Sequence, residues 1–458
     1  MSILFIHKEL YKISSALSKF KGRSILVGGA VRDICMEKET TKDLDIEVFG
    51  INLESLESIL QKFGKLYKVG KTFGVLKLKT ENAEYDFSLP RYENKIGIGH
   101  RGFLTRSDPL MSFEKASSRR DFTVNSIGYD LLKHRLLDPF KGEEDIKKKI
   151  LRHISPSFSE DPLRVYRAMQ LSARLEFDIA PETITLCNDL NLKEISKERL
   201  FGEFRKLLIN ANQPSIGFES ARKLGILSYF PELKALIGVK QDPKWHPEGD
   251  VWQHTLLVID EAASLRKGNE KEDLVLMFSS LCHDFGKPLT TKFIKGRWRS
   301  PSHDLAGIAP TEKFLRRLTD DRSLIEKVKI LVKEHLRPVQ LYNTRNSINS
   351  GAIRRLAIRV NIPELVLLAK ADYFGRSLSQ IDRSCFEAGN WLLLKAERMN
   401  VHKFSPRPFL MGRHLLALGM KPGPKMGQIL KYAFEKQLNG ELKKEKDAIS
   451  WAKSNFSF

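Results

Sequence analysis

The chain has 458 residues, 41% of them hydrophobic, and carries 77 Lys and Arg against 56 Asp and Glu, a formal net charge of +21. That length exceeds what one hydrophobic core can serve, so three or four structural units are expected, and the positive excess points to polyanions, nucleic acid first, as partners. The four cysteines, Cys35, Cys187, Cys282 and Cys385, are scattered without a CxxC pair, which argues against a disulfide framework and a thiolate zinc site, and no apolar run approaches the ~20 residues a membrane crossing needs.

The opening MSILFIHKELYKISSALSKF has apolar residues at helical spacing with Lys and Glu between them. It predicts an amphipathic helix rather than a signal peptide, and hence a cytoplasmic protein. Short β-rich runs follow over residues 1–150: SILVGG ends in a glycine pair, LDIEVFG alternates, as do VLKLKT and EYDFSL, and RLLDPF ends at a turn. From about Asp161 the periodicity becomes helical, as in PLRVYRAMQLSARLEF, SKERLFGEFRKLLIN, PSIGFESARKLGIL and EDLVLMFSSLCHDF. The fold class is therefore α+β, an N-terminal mixed sheet with helices followed by an all-α remainder. Residues 391–458 form a basic tail.

In LVGGAVRDICMEKETTKDLDIEVFG the strand meets Gly28 and Gly29, 13 residues intervene, and Asp43-Leu44-Asp45 follows. A glycine pair after a strand lets backbone N–H groups approach a triphosphate without Cβ interference, and Arg32, one turn into the next helix, can reach the same phosphates. Asp43 and Asp45 share one strand face because the side-chain period is two, and paired carboxylates suit Mg²⁺, two of which suit in-line attack on a nucleotide phosphate. Asp86, between Tyr85 and Phe87, is a candidate third carboxylate. Taken singly, a Gly-Gly pair is usually just a turn and a DxD usually a solvated strand face. In this order and spacing the pattern resembles the nucleotidyltransferase superfamily that includes DNA polymerase β.

Arg119-Arg120-Asp121-Phe122-Thr123-Val124-Asn125 sets two cations, a carboxylate and an amide close together. Arg120 can clamp phosphate, while Asp121 and Asn125 either hold ribose hydroxyls or brace the sheet as a buried polar network. Glu160-Asp161-Pro162-Leu163-Arg164 opens a helix on which Asp161, Arg164 and Arg167 share a face. A carboxylate accepts from the exocyclic amine of cytosine or adenine and a guanidinium donates to the adjacent ring nitrogen, so this trio can select CTP and ATP without a template. On local sequence alone the commoner role of Asp161 is to cap the helix.

GGAVRD…KDLDIEVFG, RRDFTVNS, DPFKG and EDPLR together closely resemble the class II tRNA nucleotidyltransferases, the CCA-adding enzymes and their relatives, over residues ~20–240. The resemblance implies a catalytic head over 1–150 in which Asp43 and Asp45 bind Mg²⁺ and Gly29, Arg32 and Arg120 contact the nucleotide. It implies a neck over 151–240 in which Asp161, Arg164 and Arg167 complete the pocket and helices bind the 3′ end and acceptor arm of tRNA. Many members carry an arginine one turn beyond Arg167, where this chain has Gln170. KIGIGHRGFLTRSDPLMSFEKASS looks like the family's full-length flexible loop, which favours complete CCA addition or A addition over CC-only addition. The comparable basic segment of a bacterial poly(A) polymerase is replaced by VGKTFGVLKL, without the arginines.

The helical half contains HPEGDVWQHTLLVID with His254, LCHDFGKP with His283 and Asp284, then His303, His335 and Asp372. Imidazoles and carboxylates from separate helices can converge on divalent metals that activate water. The order is similar to the HD phosphohydrolase superfamily over residues ~246–375, giving a domain expected at 241–390. By that resemblance His254, His283, Asp284 and Asp372 are core ligands of a divalent transition metal, His303 and His335 serve a second, and Lys287 binds a substrate phosphate. Such domains in bacterial CCA-adding enzymes include phosphatases, 2′-nucleotidases and 2′,3′-cyclic phosphodiesterases. The rival readings are poly(A) synthesis, a non-catalytic RNA sensor, and a protein whose main activity is HD hydrolysis.

Overall fold

The computed structural model describes residues 8–38, 44–69, 75–95, 103–377, 382–402 and 405–456. The chain divides into two units, Met1–Leu207 with Ile216–Tyr229 and Leu208–Ser215 with Phe230–Phe458.

The first unit opens with the expected amphipathic helix, α1 (Lys8–Ser18), whose Leu10, Ile13 and Leu17 are buried. The alternating runs form β1 (Arg23–Val27), β2 (Leu44–Phe49), β3 (Lys65–Val69), β4 (Val75–Lys79), β5 (Glu84–Ser88), β6 (Arg91–Lys95) and β7 (Phe103–Ser107), with α2 (Gly29–Cys35) and α3 (Leu53–Leu60) between them. Then come α4 (Phe113–Ser117), β8 (Gly128–Asp130), β9 (Arg135–Leu137) and α5 (Gly142–Lys148). Seven strands form one sheet in the order β3-β4-β5-β2-β1-β8-β9. The sheet is mixed because β2 and β5 run parallel while β1 pairs antiparallel with β2 and β8.

β2 is a central strand and buries every residue except Asp45. Its Ile46 and Val48, with Leu76, Leu78, Tyr85 and Phe87, pack against α1, α2 and α3, while Ile25, Val27, Phe49, Met111 and Phe113 cluster separately. Each such aliphatic side chain contributes about 1.5–3 kcal/mol on burial, which fixes β2 and so the position of Asp45. Pairing of β6 with β7 makes a ribbon outside the main sheet, flanking the Gly-rich stretch whose residues 96–102 lie outside the described residues.

The neck segments fold as α6 (Leu163–Leu175), α7 (Pro181–Asn188), α8 (Lys197–Asn210) and α9 (Pro214–Lys223). A two-residue parallel pair, β10 (Ile150–Leu151) with β11 (Asp178–Ile179), ties the start of this region to the end of α6.

The second unit is helical: α10 (Pro231–Lys234), α11 (Val251–Ser264), α12 (Glu270–Cys282), α13 (Lys287–Thr290), α14 (His303–Ala306), α15 (Ile308–Leu318), α16 (Arg322–Glu334), α17 (Arg337–Asn343), α18 (Ser350–Arg359), α19 (Ile362–Phe374) and α20 (Glu387–Arg398). One hairpin interrupts it, β12 (Lys292–Ile294) with β13 (Arg297–Arg299), turning at Lys295 and Gly296, both in the left-handed region at φ 50° and 75°. Two consecutive positive φ values match the hairpin's own twist, which is why glycine stands there. The tail's α21 (Gly412–Ala417), α22 (Pro424–Asn439) and α23 (Glu445–Asn455) close around Leu415, Ile429, Ala433, Ala448 and Ala452, a small core of their own. Among the described residues no helix is long and apolar enough to cross a membrane.

Trp252, 1% exposed on α11, is the largest fully buried side chain. Trp252→Ala is expected to lower the stability of the second unit by about 3–5 kcal/mol, read as an earlier urea transition by circular dichroism.

Candidate active sites

The first site gathers at the end of β1. Gly28 sits at φ 76°, a conformation that favours glycine, and a Cβ there would lie 3.4 Å from Asp45 Oδ2. The chain can therefore turn tightly over the carboxylate and start α2 at Gly29. Register places Asp45 opposite Val27 on one side and beside Asp86 on the other. Asp45 lines a cavity of about 540 Å³ with Gly28, Gly29, Arg32, Arg120, Asp161, Arg164, Arg167 and Gln170. Asp43 lies outside the described residues. Asp86 is not among the cavity-lining residues, and its Oδ1 lies 3.5 Å from Lys77 Nζ.

The guanidiniums around this cavity are held by acceptors. Arg32 donates to Asp33 at 2.6 Å and to Asn125 Oδ1 at 2.7 Å. Asn125 donates in turn to Asp121, which accepts from its neighbour's Phe122 N and from Arg167 Nε at 2.7 Å. Burial opposes ionisation of Asp121, yet Arg167 and Asn125 outweigh it and hold the carboxyl below its ordinary value. Asp121 and Asn125 thus brace the cavity wall, and both also line the cavity. Arg119 and Arg120 both donate to Glu47, at 3.0 and 3.3 Å, and that carboxylate is 1% exposed. Burial lowers the Arg120 pKa even so.

Arg164 donates to two backbone carbonyls, those of Ser157 at 3.0 Å and Arg119 at 2.6 Å. Asp161 accepts from Leu163 N at 3.1 Å, as a cap does, and from Arg199 Nη2 at 2.7 Å. At Gln170, 2% exposed, the side-chain oxygen accepts from Arg174 one turn further on, and both residues line the cavity. Among the described residues, eight cationic side chains and four carboxylates line it. Such a surplus of donors fits a polyanion, and a carboxylate among them fits a cation that travels with one.

The second site lies among the helices of the second unit. His254 projects from α11, His283 caps the C-terminus of α12 with Asp284 after it, His303 begins α14, His335 caps α16 and Asp372 lies on α19. The structure brings all six together. The ligand atoms of His254, His283 and Asp372 lie within 4.8 Å of one another, as do those of Asp284, His303 and His335. All six residues are 8% exposed or less.

Each imidazole is aimed by its Nδ1. Those of His283, His303 and His335 contact the carbonyls of Ser280, Ser300 and Val332, at 2.8, 2.8 and 2.5 Å. A proton on Nδ1 leaves the Nε2 lone pair facing inward, the tautomer a metal needs. Inside, His254 Nε2 is 3.2 Å from Asp372, and His303 Nε2 is 3.3 Å from His335 Nε2 and 3.4 Å from Asp284 Oδ1. Burial, with His303 and His283 beside it, pushes the His335 imidazole down to about 3, so it is neutral at pH 7. His283 Nε2 and both Asp284 oxygens are sealed from solvent, and Asp284 Oδ2 lies 3.1 Å from His283 Nε2. The donor set of imidazoles and carboxylates fits one or two divalent cations.

Lys287 Nζ lies 2.6 Å from Asp284 and also donates to Gln241. The cavity above the cluster, about 380 Å³, is lined in addition by Trp245, Trp298, Arg297, Arg299 and Arg376.

Comparison with known proteins matches three family profiles: the poly A polymerase head domain over residues 24–152, a probable RNA and SrmB-binding site of polymerase A over 176–237, and the HD domain over 251–377. The multifunctional CCA protein of Xylella fastidiosa is 38% identical over 366 residues, which cover 77% of this chain and 84% of that protein. The chain belongs to the multifunctional CCA protein family. Its fold matches the Bacillus stearothermophilus CCA-adding enzyme in complex with CTP, at TM-score 0.68 and 19% identity over 99% of this chain and 98% of that one. It also matches the Thermotoga maritima CCA-adding enzyme complexed with tRNA, at TM-score 0.60 and 18% identity over 99% and 97%. A nucleotidyltransferase head with an HD domain in one CCA protein implies dependence on divalent metals.

Within this CCA protein several site residues escape the sequence reading. Glu47 carried a signal, since it follows Asp45 by the two-residue side-chain period of a strand. Arg199 carried none, because its partner Asp161 is 38 residues away. Removing Glu47 leaves two cations without their shared partner. Glu47→Ala is expected to destabilise the first unit by about 3–5 kcal/mol, with Glu47→Gln losing less, measured by denaturant unfolding.

Proposed function

We propose that this protein completes the 3′ end of tRNA, adding C, C and A from CTP and ATP without a nucleic-acid template and releasing pyrophosphate. The observation that carries the reading is a cavity lined both by Asp45, under the Gly28–Gly29 turn, and by Asp161 and Arg164, the pair expected to read the base. The family supports it, since relatives bear the name multifunctional CCA protein and the fold is that of enzymes solved with CTP and with tRNA.

Asp43 and Asp45 would hold Mg²⁺, which would neutralise charge at the phosphates and lower the pKa of the attacking 3′ hydroxyl. The protein's own groups position the reactants. Gly28 and Gly29 bring backbone N–H groups close to the triphosphate, and Arg32 and Arg120 offer it guanidinium donors. Two acceptor sites of Asp161 are occupied by Leu163 N and Arg199, and a carboxylate has about four, so sites remain for an exocyclic amine. Arg164 spends two N–H groups on carbonyls and keeps others for a ring nitrogen, its plane already fixed. Uracil and guanine would set an oxygen against Asp161. Arg167 holds the wall through Asp121. Substrate and enzyme meet in the cytoplasm on this reading.

The histidine–aspartate cluster of the second unit is read as a phosphohydrolase centre for phosphate monoesters or cyclic diesters. A divalent transition metal there supplies a water nucleophile at neutral pH. Lys287 and the nearby arginines offer donors to a substrate phosphate.

tRNAs ending at the discriminator, at C and at CC, each given labelled CTP or ATP, test the first activity. Two C additions followed by one A are expected; CC-only or A-only products narrow the activity, and unlimited A addition to any RNA overturns it in favour of poly(A) synthesis. Asp45→Ala should cut CTP and ATP incorporation on the order of 10³-fold or more, the loss of several kcal/mol of transition-state stabilisation, while sparing hydrolysis. His283→Ala or Asp284→Ala should abolish hydrolysis of monoesters or cyclic diesters and leave nucleotide addition intact.

A further inference from the structure

Three of the four cluster histidines find their Nδ1 acceptor in a backbone carbonyl three residues back. For His283 and His335 the reason is position: each caps a helix C-terminus, where the last carbonyls lack intrahelical partners. His254 cannot use that device. It is the fourth residue of α11, and a helix N-terminus has orphan N–H groups, not orphan carbonyls. The carbonyl three residues back, on Val251, already accepts from the Thr255 hydroxyl at 2.8 Å.

The acceptor comes instead from the segment before the helix. Glu248 Oε1 lies 2.8 Å from His254 Nδ1 and 2.9 Å from His246 Nδ1, and Ser377 N donates to Glu248 Oε2 at 3.2 Å. The carboxylate is 2% exposed. The two rings it serves meet edge to face with centroids 4.6 Å apart. His246 itself lines the cavity above the cluster, and Glu248 does not.

We infer that Glu248 is a positioning residue of the second site: it accepts from Nδ1–H of His254 and of His246, fixes both tautomers, and so turns the Nε2 of His254 toward Asp372 and the metal. The inference rests on reading the cluster as a metal centre. Three of the atoms considered, His246 Nδ1, Glu248 Oε1 and His254 Nδ1, are close enough to suggest a metal site of their own. Two ring nitrogens within hydrogen-bond distance of one carboxylate oxygen instead form a saturated acceptor, and His254 is left with one nitrogen for each duty. Carboxylates that stand behind a ligating histidine in this way typically affect metal affinity by about 10–100-fold.

The test is a titration of metal-stripped, full-length protein with Co²⁺, followed by visible absorption and calorimetry, with the uptake lost in His283→Ala defining the metal bound at this site. Glu248→Ala should weaken that uptake by about 10–100-fold while its saturating stoichiometry stays that of the wild type. Glu248→Gln keeps the side chain's shape and an amide oxygen that still accepts from Nδ1–H, so it should recover part of the affinity. A wild-type urea transition followed by circular dichroism reports that the second unit of each variant is folded. Wild-type affinity in both variants overturns the inference, and one metal equivalent fewer at saturation overturns it by making Glu248 a ligand. If His283→Ala takes up as much Co²⁺ as wild type, the metal-centre reading itself falls.

Discussion

Arg119 and Arg120 bring adjacent positive charges to the wall of one cavity, and they stay there because Glu47, fully buried in the central strand, accepts from both. A buried carboxylate alone would be expelled or neutralised, and two crowded guanidiniums alone would repel. Together they form a fixed triad whose location is set by β2, the strand that also carries Asp45. The rest of the first site is built outward from this. Arg119 passes its carbonyl to Arg164, Arg164 lies on α6, and α6 carries Arg167 to Asp121. The sheet and α6 are thereby joined by charge-assisted bonds, each worth about 1.5–3 kcal/mol.

The same logic with signs exchanged organises the second unit. There the problem is to hold imidazoles correctly turned inside a buried cluster. Backbone carbonyls at two helix ends and one loop do this for three rings, and a carboxylate does it for the fourth. Helix position decides which kind of acceptor is at hand: a C-terminus provides carbonyls, while an N-terminus has to import an acceptor.

Much of this was legible before any coordinate. The alternation in LDIEVF and EYDFSL became β2 and β5, and the glycine pair became the turn over Asp45. The six dispersed His and Asp residues of the second site proved to converge. What stayed hidden was mostly pairing across long separations. Nothing near Asp161 announces Arg199, since ion pairs between helices depend on how the helices cross. KFIKGRWR was missed as a hairpin for a different reason: its strands are three residues each, half charged and mostly exposed, so no alternation survives, and only the Lys295–Gly296 turn marks it. Asp121 and Asn125 were legible as polar residues but not as to role, because ribose contact and wall bracing ask for the same groups.

The two sites also differ in the sign of what they offer. Among the described residues the first cavity presents twice as many cationic as acidic side chains, so these fixed groups attract an anion, and a cation enters most readily already bound to that anion. The second presents imidazole lone pairs and two buried carboxylates, with Lys287 beside one and Arg376 beside the other. Its fixed groups attract a bare metal first, and a phosphate second. On the proposed reading a single basic chain holds two centres for phosphate chemistry: one arranged to deliver a nucleotide to a hydroxyl, and the other to deliver water to a phosphate ester.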